Sequence, residues 1–395
     1  MTLYYHALRL FVIVFLVILT LPADNFAEQA DKDFEKLRKH GAIIHRTGIW
    51  MMQPLPDNEK QLQKFRNAIR TNQYLSGVVL HADWSRVEYK EGDYNFDGFD
   101  RAIAVLREQG MPYQLIIKPG TGTPQFIYQK GAAHFQAVVK NPHRPDYGES
   151  VTFPLPWDPV YQRHFSLLIK KLGLRYSPDP LCVSVALTCA NFLSAEMHLP
   201  KEFQDMEKWR LLGDYKSLLL GVYKKYIDEW SQAFPRQEIC LHVSPVLDLR
   251  PTEFSELIIA YGLSKYPGQF AIQTDMLTGR REDAGKEPYD LVMKLKDRVY
   301  HGFQSLAAFA RSGERMGSVE MAALNVVHAE GKYWEVWNID GMKADVSQRI
   351  LRTWDEAKKS GYINYKATLI ARGLYREKED DTYGKKTRRS RKRAQ

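Results

Sequence analysis

Residues 74–119 read YLSGVVLHADWSRVEYKEGDYNFDGFDRAIAVLREQGMPYQLIIKP, and the reading of this stretch decides the fold. The run over 74–84 is strand-like, rich in leucine and valine. The run over 99–110, FDRAIAVLREQG, has apolar residues at helical spacing and stops on a glycine. The run over 112–119 is strand-like again. Strand, helix and strand in this order make a parallel βαβ unit.

The same alternation extends in both directions. Strand-like runs occur at 42–49, 74–84, 112–119, 181–191, 238–245, 269–277, 299–306 and 332–340. Helix-like runs follow at 58–71, 99–110, 160–176, 215–234, 251–266, 290–298, 318–331 and 345–361. Eight repeats predict an α/β protein built as one closed (β/α)8 TIM barrel over residues 34–375. An open nucleotide-binding sheet should show GxGxxG or GxxxxGK[ST] after an early strand, and neither occurs. Residues 121–159 are rich in proline and polar side chains, and predict a long loop insertion after strand three, lying over the active-site face.

Composition narrows the class. The chain has 395 residues, 44% apolar and 26% charged, which excludes wholesale disorder, collagen and coiled coil. Three cysteines exclude a disulfide-dense scaffold, and the absence of CxxC or a His/Cys cluster argues against structural zinc. Cys182 and Cys189 on one strand would lie ~23 Å apart, too far to bridge; at most one of them could reach Cys240, and three buried thiols are expected. Of the net charge of +9, seven positive charges fall in the last eleven residues, leaving the body at +2. This predicts a disordered basic tail over 376–395, not a nucleic-acid-binding protein. At the other end, Arg9 precedes an apolar run over 10–21, with small residues at Ala23 and Ala27. The run is shorter than the ~20 residues needed to span a bilayer and suits a signal peptide over 1–27. Export to the periplasm or medium is expected, with no membrane span in the mature chain.

The strands turn polar toward their C-terminal ends. His45 and Arg46 end the first, His81 and Asp83 the second, Lys118 the third and Asn191 the fourth. His242 and Ser244 end the fifth, Gln273 and Asp275 the sixth; Gln304 lies on the seventh, Glu335 and Asn338 on the eighth. In a barrel these ends form one mouth, where active sites of the fold sit. Trp84, Trp157, Trp334 and Trp337 fall at or near it, and indoles stack on the apolar faces of sugar rings.

Two kinds of motif carry a resemblance. Trp84, Val87, Glu88, Gly92, Tyr94, Phe96 and Asp100 spell W..VE...G.Y.F...D, which resembles the second-to-third-strand region of retaining glycoside hydrolases with (β/α)8 barrels, the cellulase-like and β-galactosidase-like families. FPLPWDPVYQRHF, LTCANFLSAEMHLP and KYWEVWNID resemble exported barrel proteins related to that group. The resemblance implies hydrolysis of O-glycosidic bonds in a poly- or oligosaccharide, without a cofactor or metal. It also implies an acid/base glutamate directly after the asparagine that ends strand four. Here Asn191 is followed by FLSA and only then by Glu196. The nucleophile of that group ends strand seven as a glutamate, and here Gln304 stands in the region.

Glu196 is therefore the expected general acid, its pKa raised by Phe192, Leu193 and Met197 nearby. Glu335 is the leading second carboxylate, kept ionised by Arg46, with Asp275 the alternative. Two carboxyls ~5–5.5 Å apart would retain anomeric configuration, and ~6.5–9.5 Å would invert it. Arg46, His81, Asp83, Trp84, Lys118, Asn191, His242, Gln273, Gln304 and Trp337 are the expected substrate contacts. The alternative function is a carbohydrate-binding barrel that has lost its strand-seven nucleophile. His45, His81 and His242 would have to serve a metal-dependent barrel, but no HxH pair ends the first strand.

Overall fold

The computed structural model describes residues 43–280, 287–311 and 313–375. The expected signal peptide over 1–27, the first residues of the expected barrel over 34–42 and the basic tail over 376–395 lie outside the described residues. Eight parallel strands close into a barrel: β1 (Gly48–Pro54), β2 (Leu75–Asp83), β3 (Tyr113–Lys118), β4 (Cys182–Leu187), β5 (Glu238–His242), β6 (Phe270–Leu277), β7 (Tyr300–Ser305) and β8 (Tyr333–Trp337). Each neighbour in sequence is a neighbour in space, and β8 closes on β1 with Trp50 opposite Glu335. Helices follow every strand, from Glu59–Thr71 after β1 to Ala344–Ala371 after β8. The α/β reading and the closed (β/α)8 architecture are those expected from the alternation.

Strand parity separates two environments. Leu80, Leu115, Val185, Leu241, Ile272 and Val336 face outward and join the helices in the main core. Each fully buried side chain of this size contributes ~1.5–3 kcal/mol. The inward positions form a smaller apolar cluster around Trp50, Val79, Ile116, Ala186 and Tyr333. Room for Trp50 in the lumen comes from Gly77 on the adjacent strand, because a Cβ there would lie 2.5 Å from the indole. Cys182, Cys189 and Cys240 are all buried free thiols. Among the described residues no helix is long and apolar enough to cross a membrane.

The first strand departs from expectation. It begins at Gly48, not at residue 42, so His45 and Arg46 precede it. The 42–49 run is strand-like, but a barrel strand is covered on both faces and the denser apolar run IWMM is the one that pairs. Arg46 consequently enters the lumen from the N-terminal end instead of the mouth. Its Nε donates to Glu238 at 2.9 Å and its Nη1 to Gln114 at 2.8 Å and to Glu335. The guanidinium lies 3.9 Å from the centre of the Tyr333 ring. An unpaired charge here would be strongly destabilising, and two carboxylates and an amide answer this one.

Between β3 and the helix Pro159–Tyr176 the chain forms a 3-10 turn (Gly120–Gly122), a short helix (Gln125–Gln129) and an antiparallel ribbon pairing His134–Val138 with Ser150–Pro154. Asp158 caps the long helix, accepting from Val160 and Tyr161 N–H at 2.8 and 2.9 Å, and also accepts from Ala133 N–H at 2.9 Å. One side chain thus starts the helix and anchors the ribbon. Gly120 lets the turn press against the loop after β4: a Cβ there would sit 2.6 Å from the Asn191 carbonyl oxygen.

Candidate active site

A cleft of about 800 Å³ opens at the C-terminal mouth of the barrel. Glu196, Asp275, Gln304, Trp337, His81 and Lys118 line it. These are six of the residues expected there from strand position.

Glu196 is presented by the irregular loop after β4. Asn191 folds that loop on itself: its side-chain oxygen accepts from Cys189 N–H at 2.7 Å, and its amide donates to the Ala195 and Glu196 carbonyls at 2.7 Å each. Met197 N–H donates to the His242 carbonyl at 3.1 Å, pinning the loop to the end of β5. The four-residue offset between Asn191 and Glu196 is thus a turn closed by the asparagine. Burial and the neighbouring Asp275 carboxylate push the Glu196 pKa up to about 7, against a 3.2 Å hydrogen bond from Ser194 and the nearby His242.

Asp275, near the end of β6, lines the cleft. It accepts from His242 Nδ1 at 2.9 Å and from Gln273 Nε2 at 2.8 Å. Burial opposes the charged form of His242, yet the Asp275 carboxylate, with a hydrogen bond involving Cys240, lifts its pKa well above the ordinary histidine value. The two form a buried ion pair. Gln273 also donates to Glu335 Oε2 at 3.0 Å. A polar ladder therefore runs along the lumen from Glu238 through Arg46, Glu335 and Gln273 to Asp275.

Glu335 points into the lumen beside Arg46, the orientation read from the sequence. It is fully buried, however, and absent from the walls of the cleft, with Arg46 and Gln273 occupying its two oxygens. Burial outweighs Arg46 and His242 and raises its pKa. Of the two candidate second carboxylates, the structure brings Asp275 to the cleft.

Several expected contacts serve other ends. Arg46 lies at the opposite end of the lumen, as the register of β1 requires. Trp84 is buried against Phe165 and Tyr161 and donates to Glu88 Oε2 at 2.9 Å. Glu88 also accepts from Gly92 N–H at 2.9 Å. The W..VE...G motif thus folds a corner after β2 instead of facing sugar. Trp334 is buried with its indole N–H on Ser305, and Trp157 packs on Trp209. Of the four tryptophans expected near the mouth, Trp337 alone lines the cleft, held by a 2.8 Å bond to the Ser305 carbonyl. Asn191, His242 and Gln273 support cleft residues from beneath. Asp83 sits outside the lining and pairs with Lys118 at 2.9 Å. Burial and Lys118 push His81 down to about 3, so it is neutral.

Sequence reasoning missed part of the lining. Asn141, His143 and Arg144 come from the segment between β3 and its helix, and Arg311 and Arg315 from the segment after β7. The length and polarity of the 121–159 segment signalled its involvement without singling out residues. Met52 was hidden by the misplaced first strand. His45 lies at the far end of the barrel on Glu238, so the three histidines weighed for a metal do not converge. Among the described residues no group of three His, Cys, Asp or Glu side chains is placed to hold a metal ion.

Residues 58–234 match the glycoside hydrolase family 42, described as beta-galactosidase. Similar solved structures include the catalytic domain of a beta-amylase from Paenibacillus polymyxa, at 10% identity and TM-score 0.55, covering 80% of this chain and 99% of that one. The cold-adapted beta-galactosidase from Rahnella sp. R3 aligns at 13% identity and TM-score 0.52, over 79% of this chain and 56% of that one. The beta-galactosidase from Marinomonas ef1 aligns at 9% identity and TM-score 0.51, over 79% and 59%. This chain thus spans little more than half of either beta-galactosidase, and at these identities the likeness is one of fold. No curated protein matches the sequence.

Proposed function

We propose, from the match of residues 58–234 to the β-galactosidase-like glycoside hydrolase family 42, that the chain hydrolyses O-glycosidic bonds of a poly- or oligosaccharide at the mouth of the barrel. One observation carries the reading. Glu196 is a cleft carboxyl whose pKa is pushed to about 7 beside a second cleft carboxylate, Asp275, that His242 holds in an ion pair. A carboxyl that keeps its proton near neutrality can serve as the acid beside a carboxylate held by an ion pair, which divides acid and base roles. Glu196 protonates the departing glycosidic oxygen. Asp275 stabilises the charge developing at the anomeric carbon, either by attacking it or by activating a water. Gln304 and Trp337 offer an amide for hydroxyls and an indole for a ring face.

The test is turnover of a panel of aryl glycosides and oligosaccharides by the purified protein. Glu196→Gln is expected to lower kcat by ~10²–10⁴-fold with the fold retained. Unchanged turnover would overturn the assignment. The anomer released first, read by NMR, distinguishes attack by Asp275 (retention) from attack by water (inversion).

A second reading, a carbohydrate-binding barrel without hydrolysis, is favoured by Gln304, an amide lining the cleft on β7. Glycan binding without product at any pH would establish it. Two further proposals accompany the main one. The 121–159 segment is an insertion that contributes a wall of the site, as the lining by Asn141, His143 and Arg144 supports. Export rests on the apolar run over 10–21 and is checked by N-terminal sequencing of the mature protein.

A further inference from the structure

The cleft has a charge that a neutral sugar does not need. Its walls carry Lys118, Arg144, Arg311 and Arg315 against two carboxyls, Glu196 and Asp275. Neither carboxyl is free to answer those cations. Glu196 is bonded by the Ser194 hydroxyl at 3.2 Å and lies beside Asp275, which is bound at 2.9 Å by His242. Lys118 has its own counter-ion in Asp83, and Arg144 is bidentate to Asp146 at 2.8 and 2.9 Å. Arg311 and Arg315 have none. Among the described residues neither guanidinium has an ion-pair or hydrogen-bond partner, and Arg315 is half-buried. Across the same cleft, His81 and His143 add imidazoles.

We infer that the substrate is an anionic glycan, bearing carboxylate or sulfate groups, and that Arg311 and Arg315 are the residues that select it. This rests on the carbohydrate reading of the same cleft and deepens it. Guanidinium presents a planar fork of donors that matches the oxygens of either group, and does so bidentately. Cations grouped in a cleft with low-dielectric walls focus their field on the site. The neutral parts of a sugar are served separately by Gln304, Asn141 and Trp337. The two arginines come from the segment after β7, while the catalytic candidates stand after β4 and on β6. Charge recognition is thus placed beside the reacting bond and not on it.

The experiment uses the full chain carrying Glu196→Gln, so that ligands bind without being consumed. Calorimetric titrations compare an oligogalacturonate, a sulfated galacto-oligosaccharide and a neutral galacto-oligosaccharide of equal length. The expected result is that at least one charged ligand binds roughly tenfold or more tightly than the neutral one at low salt, and that added salt narrows the gap. Which charged ligand wins identifies the anion. Arg311→Ala with Arg315→Ala is expected to abolish the preference, and the double lysine variant to keep part of it. The basic tail is common to every protein compared, so the difference between variants belongs to the cleft. Thermal melts confirm that the variants fold. Equal affinity for neutral and charged ligands, or a preference that survives the double alanine variant, would overturn the inference. The two readings fail separately. Arginine-dependent binding with no cleavage by the unsubstituted protein removes the hydrolase and leaves the anion site. Cleavage of neutral glycans alone does the reverse.

Discussion

A carboxyl that donates a proton near neutrality needs surroundings hostile to its anion, and Glu196 has two such influences: burial and the Asp275 carboxylate. The activity is expected to fall as pH rises through about 7, because the acid form disappears there. Glu196→Gln removes that limb together with most of the turnover, and a pH–kcat/KM profile reads both. The same group predicts a stability effect of definite sign. Its folded pKa is raised above the unfolded value, so its favourable contribution is present at acid pH and is lost as pH rises toward 7. The Gln variant does not ionise. It is therefore expected to melt above the parent at pH 8 and to lose that advantage at pH 4.5; a constant difference across this window would contradict the buried-acid account. Asp275→Asn removes the counter-ion of His242 and is expected to lower kcat at least as far, with a stability loss of ~3–5 kcal/mol by denaturant titration, since a buried charge is left unpaired.

At the scale of single elements, the loop after β4 is held by its own asparagine. Asn191 makes three hydrogen bonds within its own turn, and each sets the direction in which Glu196 leaves the barrel. Asn191→Ala is expected to cost ~1–3 kcal/mol of stability through the groups it leaves unsatisfied. It should also lower kcat by up to ~10²-fold, since misplacing a catalytic group by an ångström has that effect. A KM change with kcat intact would show that Asn191 contacts sugar after all. The corner after β2 follows the same principle. Trp84 reads as a site residue because an indole suits sugar, but its N–H and the Glu88 carboxylate satisfy each other.

For the whole molecule, the lumen is the feature with the largest consequences. A buried cation held by Glu238 and Glu335 joins the two ends of the barrel through Gln273 to Asp275. Arg46→Met is expected to destabilise by ~3–5 kcal/mol, because two carboxylates lose their counter-charge. Adding Glu238→Gln and Glu335→Gln should recover much of that loss in a denaturant titration. No recovery would mean that Arg46 acts through packing on Tyr333 and not through charge. Deleting residues 381–395, which hold Tyr383 and Ala394 among otherwise polar, charged or glycine residues, is expected to leave Tm nearly unchanged.

Fold and polar strand ends were legible in the sequence because they rest on periodicity, and a period survives small errors of register. Eight alternations specify a closed barrel wherever each strand begins, and Glu196, Asp275, Gln304 and Trp337 fall at its mouth by chain position alone. The first strand shows the limit. Moving it from 42–49 to Gly48–Pro54 carried Arg46 from the mouth to the opposite end of the lumen. Glu335 shows the second limit: parity points it inward, but depth along the lumen separates a cleft wall from a buried ion pair, and depth comes from strand stagger around the closed barrel. The arginines after β7 were unreadable for a related reason. Loop residues carry no period, and only the packed structure decides which of them turn toward the cleft and which cations there lack a partner.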